Sequence, residues 1–412
     1  MKILIISDLF YPTNEIGALR PTKIAKKLSE SGYQVDVYTR YKCDFSYCST
    51  LYGFEELPNP CINTVINKKS NGRIKNKGLM YQLKRSYRAS RSLKRSRGML
   101  LNFKNWLKDK KNNEYDVVFS TFGPLSSLWC GLYYKKKNPS VKWICDFRDP
   151  IKDENTPLIY SSCFRRMEKN ACKKADAIVA VSNGYLKRIT NGKFKDKAYM
   201  IPNGYDESDF SLNIEPANDK LTIAYVGTLY EGLRDLSPIF RAIKELVNEN
   251  VIDKEKIVFK YAGNDTATIT QQANKYDMEQ IIKSVGKIPR KECLELQFSS
   301  NILVLSTWNN KGEEGVFPGK FLEYMLIKKP IISIVDGNIG NSEVTNVMKE
   351  GNLGVTYESV NGEKDFKILK EYIKNQYFNF INKNQLDFSP NQEVLNRYNY
   401  KMIIKQIEGL IN

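Results

Sequence analysis

The chain has 412 residues, 42% of them hydrophobic and 27% charged, a balance typical of globular proteins rather than of disordered or fibrous ones. At about 150 residues per domain, this length predicts two or three domains. The net charge is +18 and no histidine is present, which excludes Ser-His-Asp and Cys-His nucleophile systems and histidine-ligated metal sites.

The sequence also bears on where the protein works. No run of 18 apolar residues occurs, so we expect no membrane-spanning helix. The apolar start, residues 1–10, is too short for a signal peptide, and it predicts a first strand instead. The eight cysteines show no C-x-x-C spacing, which fits a reducing compartment. We therefore expect a cytoplasmic protein.

The first half of the chain alternates short apolar runs with helical periodicity. Strands are predicted at 2–7, 33–39, 115–120, 141–147 and 175–182, with helices at 22–32, 124–135 and 160–174. A polar stretch at 203–220, rich in Asn, Asp, Gly and Pro, predicts a linker.

After this linker the alternation begins again. Strands are predicted at 221–230, 256–263, 301–308 and 330–337 and near Gly354, with helices at 235–249, near 266–284, and at 317–329, 340–350 and 390–412. Two such series predict an α/β protein with two Rossmann-like, doubly wound domains, at 1–205 and 206–390, that face a cleft.

Most of the charge lies in one basic segment, residues 68–111. It contains sixteen Lys or Arg and one acidic residue, Asp109, and so carries fifteen of the eighteen net positive charges. Leu, Met, Phe, Tyr and Trp recur at helical spacing between the cations, a pattern typical of helices that lie on anionic lipid. Two alternatives remain open: a solvated helix that only packs on its domain, and a nucleic-acid surface. We expect lipid contact and no nucleic acid.

Four groups of residues follow predicted strands, where open α/β sheets bind ligands. Gly17 and Arg20 lie in the first loop, before a predicted helix. Gly227 and Thr228 follow the strand at 221, and Arg234 comes seven residues after Gly227. Glycine lets a ligand approach the backbone, and Arg can bind a phosphate through two hydrogen bonds.

The other two groups contain more charge. Asp146, Arg148 and Asp149 stand in the sequence DFRDP at a strand end. The block at 312–332 places Lys320 in the first turn of a helix and Glu323 on nearly the same face. A helix N-terminus with a lysine suits a diphosphate, and Glu323 could accept hydrogen bonds from ribose hydroxyls.

At these residues the chain resembles glycosyltransferase family 4, in its bacterial surface-polysaccharide type. The resemblance is carried by FYPTNEIGALRPTKIAKKLSESGYQVDVYT, AYMIPNGYDESDF, LTIAYVGTLY and EEGVFPGKFLEYMLIKKPII, which occur in the family's order over nearly the whole chain. It implies a GT-B fold in which the C-terminal helix, 391–412, packs back on the N-terminal, acceptor-binding domain. It further implies sugar transfer from a nucleotide-sugar with retained configuration and no metal or other cofactor.

The resemblance also implies roles for individual residues. Arg234 and Lys320 would bind and stabilise the donor diphosphate. Apart from the resemblance, we expect Asp149 to complete the catalytic set by orienting the acceptor, and Arg20, Asp146 and Arg148 to contact the acceptor. The donor-binding residues would be Gly17, Gly227, Thr228, Gly286, Lys287, Ile288, Gly315, Val316, Phe317, Pro318, Gly319 and Glu323.

We expect a hexosyl- or N-acetylhexosaminyltransferase that uses a UDP-sugar rather than a GDP-sugar. Its acceptor would be a glycan or lipid-linked glycan of capsule, O-antigen or exopolysaccharide synthesis. The basic segment would hold the protein on the inner face of the cytoplasmic membrane. Two alternatives remain: a GT-B nucleotide-sugar epimerase, and a non-enzymatic membrane- or nucleic-acid-binding protein that uses the basic segment.

Overall fold

The computed structural model describes residues 1–13, 15–56, 79–110, 114–123, 125–151, 156–209, 219–230 and 232–412. They form two compact units: unit 1 contains described residues 1–204 and 400–412, and unit 2 contains 205–399. Residues 68–78 and 111 of the basic segment, and 210–218 of the predicted linker, lie outside the described residues.

Unit 1 is built on a parallel sheet. Its strands are β1 (Lys2–Ile6), β2 (Gln34–Tyr41), β3 (Thr50–Glu55), β4 (Val117–Phe122), β5 (Lys142–Phe147), β6 (Ala177–Ala180) and β7 (Ala198–Met200), in the order β3-β2-β1-β4-β5-β6-β7. Five helices connect them: α1 (Ile16–Glu30), α2 (Leu79–Trp106), α3 (Leu125–Lys137), α4 (Leu158–Lys174) and α5 (Asn183–Thr190).

Unit 2 is built on a second parallel sheet. Its strands are β8 (Leu221–Val226), β9 (Ile257–Ala262), β10 (Ile282–Ser284), β11 (Ile302–Asn309), β12 (Ile331–Gly337) and β13 (Gly354–Glu358), in the order β10-β9-β8-β11-β12-β13. Its helices are α6 (Ser237–Asn248), α7 (Thr266–Asn274), α8 (Arg290–Phe298), α9 (Gly319–Ile327), α10 (Glu343–Glu350), α11 (Glu363–Lys383) and α12 (Gln392–Arg397). The last helix of the chain, α13 (Tyr400–Ile411), belongs to unit 1.

Each sheet has a hydrophobic core on both faces, which explains why its central strands are apolar throughout rather than alternating. In unit 1, one core joins the sheet to α2 and α3, and the other joins it to α1 and α13. In unit 2, one core lies under α6 and α11, and the other under α9 and α12. The helix α13 packs on this core of unit 1 through Ile403, Ile404 and Ile407, all at most 4% exposed.

The structure corrects three predictions from the sequence. The helix expected near 266–284 ends at Asn274, and Ile282–Ser284 forms a strand that pairs with β9. Asp277 between them has a positive φ of 52°, which a continuing helix could not accommodate. The tail expected as one helix at 390–412 is interrupted between Arg397 and Tyr400. The strand β3 and the long helix α11 were not predicted.

The third correction concerns the basic segment. Met99 and Phe103, which we expected on the lipid-facing side, are at most 1% exposed and belong to the core of unit 1. None of the helices in the described part of the chain has the length and hydropathy that crossing a bilayer requires.

Candidate functional site

The carboxyl ends of the strands of unit 2 meet at one edge of its sheet, because all its strand pairs are parallel. Several predicted donor-binding segments lie at this edge. Gly227 and Thr228 follow β8, Gly286, Lys287 and Ile288 follow β10, and Gly315, Val316, Phe317 and Pro318 lie between β11 and α9. The edge thus brings together residues as far apart in the chain as Gly227 and Pro318.

Arg234 is held in place by the turn that follows β8. Its Nη1 donates to the hydroxyl of Tyr225 at 3.0 Å and to the carbonyl of Thr228 at 3.2 Å. The guanidinium also lies over the ring of Tyr230, 4.7 Å from the centroid. These contacts fix the plane of the guanidinium, so that an arriving anion meets a preoriented cation.

Lys320 lies in the first turn of α9, directly after Gly319 and the N-cap residue Pro318. The first N–H groups of a helix have no partner within the helix, and its dipole adds partial positive charge there. Lys320 adds a full charge to the same place. Such a helix start is a suitable site for a phosphate group.

Glu323, one turn further along α9, forms an ion pair that the sequence did not predict. Its Oε1 lies 2.9 Å from Nη1 of Arg290, the first residue of α8. The Glu323 side chain is 18% exposed, whereas that of Arg290 is 62% exposed. The ion pair links the loop at 286–288, which precedes α8, to the helix that carries Lys320.

Two side chains, the partly buried Cys293 and the buried Tyr324, each lie near several of these groups. Cys293 lies near enough to Lys320, Glu323 and Arg290 for their charges to affect its pKa, which burial raises above the ordinary thiol value. The pKa of Tyr324, also raised by burial, is affected by Arg234 and Glu323. The structure therefore brings the predicted Arg234, Lys320 and Glu323 into one region of unit 2.

One loop at this edge is ordered by a backbone hydrogen bond and the other by an aromatic side-chain contact. The carbonyl of Gly286 accepts from the N–H of Gly263 at 2.9 Å, and Gly286 has a φ of +69°, which favours glycine. In the other loop, Phe317 stacks on Tyr398 with 5.3 Å between ring centroids. Phe317 therefore packs on the core under α9, and the neighbouring backbone remains at the edge.

Asp336 lies near Arg234 in this region and was not predicted from the sequence. It stands near the end of β12, and burial raises its pKa from 3.8 to about 6, although the nearby Arg234 opposes this shift. Its Oδ2 accepts weakly from the N–H of Asp235 at 3.5 Å. A carboxylate retained at a cost to stability is typical of functional sites. Its position at a strand end was the available signal.

Asp336→Asn is expected to stabilise the folded protein at pH 7.5 by about 1–3 kcal/mol, because a raised carboxyl pKa in the folded state penalises folding once the unfolded chain is ionised. The penalty is absent below about pH 4, grows as pH rises towards about 6, and is constant above it. Urea unfolding of both proteins from pH 4 to 8 measures this difference. Equal curves at all pH values would contradict the raised pKa. The exposed Asp219→Asn serves as a control that changes stability little.

In unit 1, Arg20 and Asp146 form a buried ion pair. They are 2% and 0% exposed, and Arg20 Nη2 lies 2.8 Å from Asp146 Oδ1. Arg20 also donates to the carbonyls of Ile201 and Pro202, while Thr121 donates to Asp146. Burial alone would lower the pKa of Arg20, but Asp146 outweighs it and raises that pKa. The pair ties α1 to the strand ends within unit 1.

The remaining predicted residues of unit 1 lie at the carboxyl edge of its sheet. Arg148 follows β5 and donates to the carbonyls of Gly17, Phe122 and Gly123. Asp149 is adjacent to it, close enough for its charge to affect the pKa of Arg148. The structure thus brings Gly17, Arg148 and Asp149 together, while the hydrogen bonds of Arg148 are directed at the backbone.

The sequence also gave no indication of a buried charge cluster around Asp8, which follows β1. Its carboxylate contacts the guanidinium of Arg40, accepts from Ser126 at 2.7 Å and lies 3.6 Å from Arg95 of α2. Burial raises the pKa of Asp8 above its ordinary value, and Arg40 and Ser126 partly offset this. The cluster connects the basic helix to the edge of the sheet.

Comparison with known proteins agrees with this arrangement. Residues 22–209 match the family model of Glycosyltransferase Family 4. None of the curated proteins matches the chain. Among solved structures, it is similar to "lipopolysaccharide outer core galactosyltransferase WaaB apo form", with a TM-score of 0.58, 14% identity and coverage of 100% of this chain and 99% of that one.

Over residues 22–209 the chain is similar to glycosyltransferase family 4, and the whole chain has the GT-B fold. A second similar structure, "OtsA apo structure", has a TM-score of 0.60 at 10% identity, with 100% of this chain and 99% of that chain covered. A putative UDP-N-acetylglucosamine 2-epimerase from Listeria monocytogenes has a TM-score of 0.51 at 10% identity, with 100% and 95% covered. Such identities show the fold alone, so the predicted fold class is confirmed. The family match and the fold together support a glycosyltransferase.

Proposed function

We propose that the protein is a retaining, metal-independent glycosyltransferase. It moves a hexosyl or N-acetylhexosaminyl group from a nucleotide-sugar, a UDP-sugar rather than a GDP-sugar, to a glycan or lipid-linked acceptor of surface-polysaccharide synthesis. The observation that carries the proposal is the gathering of Arg234, Lys320 and Glu323 in one region at the carboxyl edge of unit 2.

The proposed chemistry follows from where charge develops. When the bond between the anomeric carbon and the diphosphate breaks, negative charge appears on the phosphate oxygens. Arg234, Lys320 and the start of α9 would stabilise it, and preoriented groups of this kind supply a large part of catalysis in many enzymes. Two fixed cations would thereby serve in place of a metal ion. Glu323, already oriented by Arg290, would bind the ribose hydroxyls.

The acceptor step needs no histidine. In a retaining reaction the acceptor hydroxyl attacks from the side of the leaving group, so that its oxygen forms the new bond to the anomeric carbon. Its proton passes to an oxygen of the departing phosphate. We propose that Asp149, at the carboxyl edge of unit 1, orients this hydroxyl.

The proposal is tested by product analysis with purified protein. We expect UDP release and a glycosylated product only when a UDP-sugar and a polyprenyl-diphosphate glycan are both present, with and without EDTA. The anomeric configuration, measured by NMR, should equal that of the donor. An epimerised sugar formed without acceptor would support the epimerase instead. Failure to bind any nucleoside diphosphate would overturn both enzymatic functions.

The outward side of α2 supports the proposed peripheral position at the inner face of the cytoplasmic membrane. Leu83, Tyr87 and Leu101 are 56%, 69% and 60% exposed, on the side of the helix opposite the buried Met99 and Phe103. Exposed cations flank them, among them Arg91, Lys94 and Arg97. A line of apolar side chains between cations suits the surface of an anionic bilayer. We propose that α2 packs on the core with one face and contacts lipid with the opposite face.

Replacing Arg91 and Lys94 with Glu is expected to weaken binding to phosphatidylglycerol-containing liposomes by roughly thirtyfold or more. Each cation near such a surface contributes about 1 kcal/mol, and the new acidic groups are repelled. Liposome flotation at low and high salt measures the effect. The control Lys193→Glu/Lys195→Glu makes the same charge change at exposed positions elsewhere in unit 1. Equal loss in both variants, or binding indifferent to salt and lipid charge, would refute lipid docking by α2.

A further inference from the structure

A proline within α1 leaves one carbonyl of the helix without its usual partner. The carbonyl of Gly17 would normally accept from the N–H of the residue four positions later, which is Pro21. Proline has no N–H, so this bond cannot form. A carbonyl in this position costs stability unless another donor reaches it.

Arg148 supplies that donor from a position 131 residues away in the chain. Its Nη1 donates to the carbonyl of Gly17. Its Nε donates to the carbonyl of Phe122 at 2.9 Å, and its Nη2 donates to that of Gly123 at 3.0 Å. One guanidinium thus joins the first turn of α1 to the end of β4 and the turn that follows it. The planar fork of arginine is suited to such a fixed set of acceptors.

The two glycines at this contact leave room for the same guanidinium. A Cβ atom on Gly17 would lie 2.5 Å from Cδ1 of Leu9 and 2.9 Å from Nη1 of Arg148, and one on Gly123 would lie 2.6 Å from Nη2 of Arg148. Gly123 also has a φ of +132°, which side chains rarely adopt. Gly17, Pro21, Gly123 and Arg148 therefore form one matched set, which we call the carbonyl clamp.

A neighbouring contact strengthens the argument that α1 is held at this edge. Arg20, one residue before Pro21, is tied to Asp146 and to the carbonyls of Ile201 and Pro202. The N-terminal half of α1 is thereby bound to the ends of β4, β5 and β7. A helix start held by this many contacts keeps one position before a substrate binds, and catalytic groups need such fixed geometry.

We propose that Arg148 is a positioning residue, which holds the first turn of α1 and the Gly123 turn in the arrangement that sugar transfer requires, and does not itself bind the acceptor. This inference deepens the proposed function and, for its effect on transfer, rests on it. The hydrogen bonds of Arg148 to three carbonyls carry it. Burial also lowers the pKa of this guanidinium, against the opposing influence of Asp146 and Asp149.

Hydrogen exchange tests the clamp independently of any activity. Arg148→Met should speed amide exchange in a peptide covering residues 16–22 by at least tenfold. In the Pro21→Ala background the new N–H at position 21 can bond the Gly17 carbonyl, so the same change should speed exchange by less than about threefold. The exposed Arg165→Met on α4 is the matched control and should leave exchange unchanged. Equal acceleration in both backgrounds, or none in Arg148→Met, would overturn the clamp.

Kinetics test the link to transfer. Arg148→Met should lower kcat tenfold to a hundredfold, leave the Kd for UDP within twofold, and regain part of its kcat when combined with Pro21→Ala. A matching loss of UDP affinity, or an unchanged kcat with accelerated exchange, would overturn the positioning role. If no variant and no wild-type protein transfers sugar, the proposed function fails, and hydrogen exchange still decides whether the clamp exists.

Discussion

Lys320→Ala is expected to lower sugar transfer by about two to three orders of magnitude while the protein stays folded. Removing one group that stabilises developing negative charge typically has an effect of this size. Lys320 is partly exposed in the first turn of α9, so its loss opens no cavity in the core. Steady-state kinetics together with thermal unfolding measure both parts of the prediction.

The matched control for Lys320→Ala is a lysine of the neighbouring helix α8. Lys291 on α8 has an 81% exposed side chain, and Lys291→Ala should leave both transfer and stability almost unchanged. A fall in activity that is matched by a fall in melting temperature would mean that Lys320 acts by stabilising α9 as a helix. Unchanged transfer by a well-folded Lys320→Ala protein would remove the residue from the site.

Arg234→Ala is expected to weaken binding of the nucleoside diphosphate by roughly tenfold to a hundredfold, since hydrogen bonds to charged groups contribute about 1.5–3 kcal/mol. The guanidinium is fixed by Tyr225, Thr228 and Tyr230, so a bound phosphate finds its donors already oriented. Arg234→Lys should recover little affinity, because an ammonium cannot reproduce the planar pair of donors. Isothermal titration calorimetry with UDP measures the three dissociation constants.

Tyr225→Phe is the informative companion to this variant. It removes the hydroxyl that contacts Arg234 Nη1 at 3.0 Å but keeps the cation, so we expect a smaller loss of affinity than in Arg234→Ala. An equal loss in both would indicate that the local structure of the β8 turn, and not the charge of Arg234, determines binding. An unchanged Kd in Arg234→Ala would exclude its contact with the diphosphate.

The sequence was sufficient to predict most of the fold because parallel strands covered on both faces are continuously apolar. The strands β1, β4, β8 and β11 show this clearly, and each is almost entirely buried. The strand β10 was missed because its three residues, Ile282–Ser284, are too few to show a period. The helix α11 did carry a signal, since Phe366, Leu369 and Ile373 recur at helical spacing and are buried.

The candidate site, like the fold, was only partly predictable from the sequence. Arg234, Lys320 and Glu323 could be predicted together, because each follows the end of a parallel strand and such ends share one edge. Their partners could not. The pairing of Glu323 with Arg290, or of Arg20 with Asp146 across 126 residues, depends on side chains brought together only by the folded chain. The sequence DFRDP likewise predicted contacts with the acceptor. In the structure, Asp146 pairs with Arg20 and Arg148 donates to backbone carbonyls.

The basic segment shows how one helical pattern can serve two surfaces. From the sequence, the apolar residues at 99 and 103 were predicted to contact lipid, but they pack in the core of unit 1. Those at 83, 87 and 101 remain exposed. Hydrophobic periodicity gives the faces of a helix, but not which face meets the core.

A crystal structure with a bound UDP-sugar tests the central claim most directly. The account predicts that the diphosphate lies within hydrogen-bonding distance of the Arg234 guanidinium, the Lys320 ammonium and the N–H groups at the start of α9, with the ribose at Glu323. A nucleotide bound elsewhere, with these groups contacting only protein and solvent, would contradict it.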